Sequence, residues 1–149
     1  MYKVLDDLFA ELKAVLGTDE FACHKMTDKI IVPVYKNDTD DIGLEAWKKF
    51  HSTSPVEIEK DALLKEMKET RKSIYVNNLD KDSRNATCFK AFNIKAIYAI
   101  PIIDKNEAIA IIVMPVLNSY YDYTEEKRAL CEKIVKKYND LIINSGLLS

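Results

Sequence analysis

Few side chains of this 149-residue chain combine in patterns that support catalysis or metal binding. Its two histidines are His24 and His51, and its three cysteines are the widely spaced Cys23, Cys88 and Cys131. Without a Cys-x-x-Cys pair, neither a zinc cluster nor a disulfide framework is indicated. Three glycines are too few for a phosphate-cradling loop, and neither a Ser-His-Asp set nor carboxylates in acid–base register stand out. We therefore expect no metal site and no catalysis by this chain.

The segment before a predicted short helix at residues 86–92 is a candidate anion site. A helix N-terminus presents free N–H groups, so Arg84 with Asn85 could hold a carboxylate or a phosphate. Alternatively, Ser83 or Asn85 only caps the helix while Arg84 is solvated. Within that helix, Cys88 is either a core thiol that behaves as a small hydrophobe or a redox-sensing thiolate.

Four further positions on or beside predicted strands are candidate ligand contacts. Tyr75 and Tyr98 lie on strands expected to border a cavity, where an aromatic ring either fills the core or orients a ligand through its hydroxyl. Asn77 follows the strand of Tyr75. His24 lies in mid-strand and is either bonded to backbone or in contact with a ligand, since one histidine without partners makes no metal site. The predicted ligand-binding set comprises Tyr75, Asn77, Ser83, Arg84, Asn85, Cys88, Tyr98 and His24.

The composition is that of an ordinary globular domain. The chain is 48% hydrophobic and 31% charged, with a net charge of -2. Lysine and arginine are spread along the chain, so nucleic-acid binding has no electrostatic footprint. The longest apolar stretch falls far short of a membrane span. The unpatterned cysteines favour a reducing, cytoplasmic location, and we expect no membrane contact.

The N-terminal half of the chain predicts a helix followed by a hairpin. Residues 2–16 carry a wide apolar stripe at helical spacing, and Gly17 follows as a stop signal. Residues 20–36 switch to a β-rich hairpin, in which Pro33 must lie on an unpaired side or at a bulge. Residues 43–51 are compatible with either a third strand or a short helix.

The C-terminal half predicts two strands and a long terminal helix after a mixed middle region. A helix begins at about Glu59, with Leu63, Leu64 and Met67 on one side, and a short strand follows at 72–76. The last helix spans about 124–145, capped by Thr124. Its predicted buried stripe comprises Leu130, Ile134, Tyr138, Leu141 and Ile142.

The strands at 96–103 and 107–117 are apolar at both alternating sets of positions, so both faces of this hairpin must be covered. The two terminal helices can cover one face, which leaves residues 37–93 for the other. Polar loops and short helices over a sheet commonly enclose a cavity. We expect a single α+β domain over residues 1–149, with a central antiparallel sheet of five to six strands.

The order of elements and several motifs resemble those of GAF domains, a small sensory fold related to PAS domains. "TRKSIYVNNLDKDSR" resembles a family stretch, "FNIKAIYAIPIIDKNEAIAIIVM" the family's hairpin with its hallmark proline at Pro101, and "YDYTEEKRALCEKIV" its closing helix. Ala110 stands where the family usually has glycine. The resemblance implies a ligand pocket on the sheet face away from the terminal helices. It also implies signalling through those helices, often in a homodimer; Leu5, Leu8, Leu12, Ile134 and Leu141 are the corresponding helix positions.

The signatures of known ligand classes of this family are not matched. The dispersed cyclic-nucleotide signature cannot be placed after Phe89 and Phe92. The Cys-His pair of bilin photoreceptors lies in the second half of that fold, whereas Cys23–His24 lies in the first strand. Nothing points to the paired loop cysteines of the free-methionine-sulfoxide reductases, or to haem. The cofactor, if there is one, stays unknown.

The sequence therefore predicts a small-molecule-sensing regulatory domain of a signal-transduction protein, of histidine kinase, cyclase/phosphodiesterase or transcription-regulator type. One alternative is an interaction module of the same fold whose cavity is filled by Phe89, Phe92 and Tyr98. The other is a redox switch or enzyme that uses Cys88.

Overall fold

A computed structural model describes residues 1–84 and 92–149. These contain a six-stranded antiparallel sheet with strand order β3-β2-β1-β6-β5-β4. The strands are β1 (Ala22–Met26), β2 (Ile30–Lys36), β3 (Val56–Glu57), β4 (Ile74–Val76), β5 (Ile94–Asp104) and β6 (Glu107–Leu117). The helices are α1 (Lys3–Leu16), α2 (Leu44–Thr53), α3 (Ala62–Thr70) and α4 (Glu125–Asn144), with short 3₁₀ turns at Ile58–Lys60 and Leu79–Lys81. The predicted α+β architecture is confirmed.

The β5–β6 hairpin is the centre of the sheet, and its strands are apolar on both faces as the sequence predicted. The two-residue turn at Lys105 and Asn106 has positive φ at both positions, 50° and 64°. That geometry suits the right-handed twist of a hairpin, and asparagine tolerates it better than most residues. Asn106 therefore makes the turn without the glycine that often stands there.

The β1–β2 hairpin carries the expected irregularity near Pro33. The pairing shifts between Cys23, opposite Tyr35, and His24, opposite Pro33, which leaves Val34 as the extra residue of a bulge. Proline cannot donate to a ladder, so a bulge beside it is a favourable arrangement.

One face of the sheet is covered by the two terminal helices. Leu5, Leu8 and Leu12 of α1 are fully buried there, against sheet residues such as Tyr98 and Ile112. Gly17 ends α1 in the left-handed conformation with φ of 72°, and its N–H donates to the Lys13 carbonyl. Because Leu5, Leu8 and Leu12 are buried within the chain itself, they present no surface to a second copy, and a signalling role for α1 stays a prediction.

The other face is covered by the middle of the chain. Leu63, Leu64 and Met67 of α3 pack on β5 and β6 with Leu79, as the apolar pattern predicted. Residues 43–51, which the sequence left open, are helical, and Trp47 of α2 is buried beside β1. The predicted short helix at 86–92 lies almost entirely outside the described residues.

The buried stripe of α4 differs from the predicted one. Cys131, Val135 and Ile142 are buried, whereas Leu130 and Leu141 are 46% and 56% exposed. Each exposed leucine lies one residue before a buried position, which turns it by about 100° around the helix. None of the helices in the described ranges is both long and apolar enough to cross a membrane.

Candidate functional site

A cavity of about 90 Å³ lies on the sheet face opposite the terminal helices. Its floor is the inner part of the sheet, including Ile97, Ala99 and Ile111, and its cover comes from α2 and α3. The lining is predominantly apolar. The polar or charged side chains among the described lining residues are Glu20, His24, Lys36, His51, Asp61 and the indole of Trp47.

Two elements bring both histidines of the chain to this cavity. Along β1, Cys23 packs in the core under the terminal helices, so the next residue, His24, faces the cavity. Trp47 and His51 are four residues apart on α2 and therefore share one face of that helix. Their rings make edge contacts with each other and with His24, with centroids 4.7 to 5.4 Å apart.

The two imidazoles are hydrogen-bonded directly to each other. Their Nε2 atoms are 3.2 Å apart. Burial, and then the neighbouring His51, holds the pKa of His24 well below its usual range. Burial lowers the pKa of His51 to about 4. Both rings are therefore neutral at pH 7, and one of them donates its N–H to the lone pair of the other.

The charged groups of the cavity are engaged in the fold. The buried Lys36 ammonium donates to the Glu20 carboxylate at 3.1 Å and to the Ile42 carbonyl at 2.8 Å. The other Glu20 oxygen accepts from the Thr39 hydroxyl. This network fixes the loop that leads into α2. Asp61 caps α3 by accepting from the N–H groups of Leu63 and Leu64.

Tyr75 and Tyr98 lie on the opposite face of the sheet from this cavity, contrary to the prediction. In β4, Ile74 and Val76 face the cavity side, so Tyr75 between them faces α4. Tyr98 is buried in the helix-side core, where its hydroxyl donates to Glu132. The two tyrosines line an open groove of about 910 Å³ beside α4, and Arg128 lies 4.0 Å over the Tyr75 ring.

The remaining predicted site residues are not gathered around the cavity. The Asn77 side chain accepts from the Tyr123 N–H at 2.9 Å and so anchors the loop before α4. Ser83 is exposed in a turn. Arg84 forms ion pairs with Asp82 and, to a lesser extent, Glu66, which raise its pKa and neutralise its charge. Asn85 and Cys88, like Phe89, lie outside the described residues.

Of the predicted ligand contacts in the described ranges, His24 alone lines the cavity. His51 was missed as a contact, whereas the sequence leaves open whether Trp47 is a lid over the pocket or a plain packing residue. The i, i+4 spacing of Trp47 and His51 is visible in the sequence once α2 is taken as a helix, but their meeting with His24 is a tertiary contact. Phe92, predicted to fill the cavity, is on its wall, with its ring 5.1 Å from that of Phe50.

No protein-family model matches the chain, and no curated protein matches it in sequence. Solved structures do match. A GAF domain/HD domain protein from Geobacter sulfurreducens superposes with a TM-score of 0.77 at 14% identity, covering 95% of this chain and 91% of that one. The GAF domain of a two-component sensor histidine kinase from Bacillus halodurans gives 0.68 at 15%, with 98% and 97% covered.

A third match is a GAF domain from Synechocystis in its photoproduct state, with a TM-score of 0.71 at 13% identity, covering 97% of this chain and 96% of that one. In all three the superposition includes nearly the whole of both chains, so the similarity concerns the complete arrangement of sheet and helices. Together with the sheet order and the two covered faces, these matches establish that the chain adopts the fold of a GAF domain.

Proposed function

We propose that this chain is a small-molecule-sensing regulatory domain of a signal-transduction protein. The observation that carries the proposal is the mostly apolar cavity with a small set of polar groups, enclosed between the sheet and α2–α3. Such a combination is typical of small-molecule sites. The structural neighbours support the regulatory role, because they include a domain of a sensor histidine kinase, a GAF/HD protein and a domain with a photoproduct state.

The sheet provides a direct route from the cavity to the terminal helices. Ile111 and Val113 of β6 line the cavity, while Ile112 between them packs in the core under α1 and α4. A ligand that favours one arrangement of the cavity walls thereby favours one packing of those helices. The mechanism is a population shift between two packings of one fold.

We also propose that the domain forms a homodimer through the outer face of α4. Leu130 and Leu141 are exposed and eleven residues apart, which places them on one stripe with the half-buried Ile134 between them. Of the five helix residues predicted for the dimer, Ile134 and Leu141 are the two that remain available.

We further propose that the domain is regulatory rather than catalytic and that it works in the cytoplasm. Glu20, Lys36 and Asp61 are engaged in structural contacts, which supports a regulatory rather than a catalytic role. The free thiols of Cys23 and Cys131 support a cytoplasmic location, since unpaired cysteines are typical of reducing compartments.

A second candidate function is that of an interaction module without a ligand. The small volume of the cavity favours it, because about 90 Å³ is well below the roughly 300–1,000 Å³ of sites for drug-sized molecules. Under that alternative the dimer is retained and the cavity stays empty.

Native mass spectrometry of the freshly purified protein, compared with its denatured mass, tests the proposal. We expect a non-covalent mass surplus that identifies a captured ligand. The variant Ala99→Met fills the cavity floor and is expected to lose the surplus. Ala62→Met adds the same side chain at an exposed position of α3 and is the matched control. A dimer with no surplus in wild-type protein or Ala62→Met, even after addition of metabolite extract, would favour the interaction module.

A further inference from the structure

The His24–His51 pair leaves two buried ring nitrogens without partners. His24 is 5% exposed, and neither its Nδ1 nor that of His51 has a hydrogen-bond partner among the described residues. A buried polar group without a partner is costly, and native proteins rarely retain one without a reason. Both side chains line the cavity, so a molecule in the cavity is the natural source of the missing partner.

The chemistry of the pair fixes what those two atoms offer. A neutral imidazole carries one N–H donor and one lone-pair acceptor. In an Nε2···Nε2 hydrogen bond, the donating ring therefore has a bare Nδ1, and the accepting ring has a protonated Nδ1. Whichever histidine donates, the pair presents one acceptor and one donor, both neutral.

Resting on the proposed sensory function, we propose that the cavity binds a small uncharged molecule with an apolar ring, held by a neutral donor–acceptor group against the Nδ1 atoms of His24 and His51. Its apolar body lies against residues such as Ile97, Ala99 and Ile111. The volume of about 90 Å³ limits it to a ring of few atoms unless the walls move.

Anionic ligands and metal ions fit the site less well. An anion needs a free cation, whereas the Lys36 ammonium is already bonded to Glu20 and to backbone carbonyls. A metal ion would find one free imidazole lone pair here, the bare Nδ1 of the donating ring, because the accepting ring carries its proton at Nδ1. In addition, no group of three or more His, Cys, Asp or Glu suited to a metal ion occurs within the described ranges.

Pyrazole and thiophene are a suitable pair of probes. Both are five-membered aromatic rings, and pyrazole is uncharged at neutral pH and carries adjacent N–H and N atoms, which thiophene lacks. We expect pyrazole to bind wild-type protein at least about tenfold more tightly than thiophene, since rejection of the analogue follows from leaving the buried histidine nitrogens unpaired. Chemical-shift titration at pH 7 measures both affinities.

The variant His51→Phe keeps a ring on α2 but removes the pair. We expect it to bind thiophene as wild type does and to lose the preference for pyrazole. Lys49→Phe, which adds the same side chain at an exposed position of α2 outside the cavity lining, is the matched control and is expected to retain the preference. Long-range ¹⁵N NMR of the wild-type imidazoles needs no variant: pyrazole is expected to shift both Nδ1 resonances, which are simple to assign because the chain has two histidines.

The outcomes separate this inference from the sensory proposal. Equal binding of the two rings by wild-type protein, with no change at either Nδ1, would overturn the role of the histidine pair and leave the cavity as a ligand site. If neither ring binds and native mass spectrometry also shows no surplus, both proposals fail. A preference for pyrazole that persists in His51→Phe also overturns the inference.

Discussion

At the scale of single residues, the cavity combines one satisfied polar network with one incomplete one. The Glu20–Lys36 pair has hydrogen bonds on both of its charged groups. The histidine pair is bonded at Nε2 and open at Nδ1. Buried polar groups that are fully bonded specify a structure, whereas open ones are available to a ligand. The contrast between the two pairs distinguishes the structural end of the cavity from the end at which we propose that a ligand binds.

Loss of Lys36 should be far more damaging than loss of both members of its ion pair. Lys36→Met leaves the buried Glu20 carboxylate without its cation, and we expect the free energy of unfolding to fall by about 3–5 kcal/mol. Lys36→Met combined with Glu20→Leu should recover much of that loss, since no buried charge remains. Urea unfolding of the wild-type protein, of Lys36→Met and of the double variant measures these differences. Lys60→Met breaks the exposed pair with Glu57 and is the control, with no measurable change expected.

Protonation of the histidine pair should destabilise the fold as the pH decreases. Both pKa values are lower in the folded chain than the ordinary value of 6.5, that of His51 reaching about 4. Between pH 6.5 and pH 4 the histidines of the unfolded chain bind more protons than those of the folded chain. The free energy of unfolding therefore decreases as the pH falls through this range. The slope is up to about 1.4 kcal/mol per pH unit for each histidine.

The double variant His24→Phe/His51→Phe isolates this effect. The other ionisable groups, including Glu20 and Asp61 of the same cavity, are common to both proteins, so their contribution largely cancels in the difference. Urea unfolding from pH 7.5 to 4 should show a shallower loss of stability in the variant. Parallel pH profiles would contradict the lowered pKa values.

At the scale of elements, periodicity predicted where helices and strands lie more reliably than which side of them is buried. The hairpin at β5–β6 and the helices α1 and α4 are where the sequence placed them. The stripe of α4 was misjudged because Leu130 and Cys131 are both apolar, and a helical pattern with two adjacent apolar rows does not select between them. Tyr75 was placed on the wrong face because β4 is too short for alternation to indicate its inner side.

The two terminal helices should respond differently to an introduced charge. Leu8 is fully buried, so Leu8→Asp places an unpaired carboxylate in the core and should prevent folding. Leu141 is 56% exposed, so Leu141→Asp should fold with a wild-type circular dichroism spectrum. Sedimentation then tests the dimer on a folded protein, where Leu141→Asp is expected to shift the population toward monomer. The exposed polar position Lys133 provides the control Lys133→Asp.

At the scale of the whole molecule, the sheet separates two cores that share its strands. The sequence could predict this division, because it shows two apolar strands, terminal helices for one face and middle segments for the other. It could not predict which side chains meet at the cavity. The meeting of His24 with His51 depends on how α2 lies across β1, a tertiary contact between elements that local pattern does not encode. The same limit applies to the ion pairs that withdraw Arg84 from anion binding.

Because the strands are shared, occupancy of the cavity should be felt on the far face. Ile112 and Tyr98 lie between cavity-lining neighbours and pack in the core under α1 and α4. A ligand that tightens the cavity walls should therefore slow amide hydrogen exchange in α4 as well as in β5 and β6. Hydrogen exchange with and without saturating pyrazole measures this, with Ala99→Met as the control that cannot bind. Protection confined to the strands, with α4 unchanged, would show that the cavity is a binding site without a route to the terminal helices.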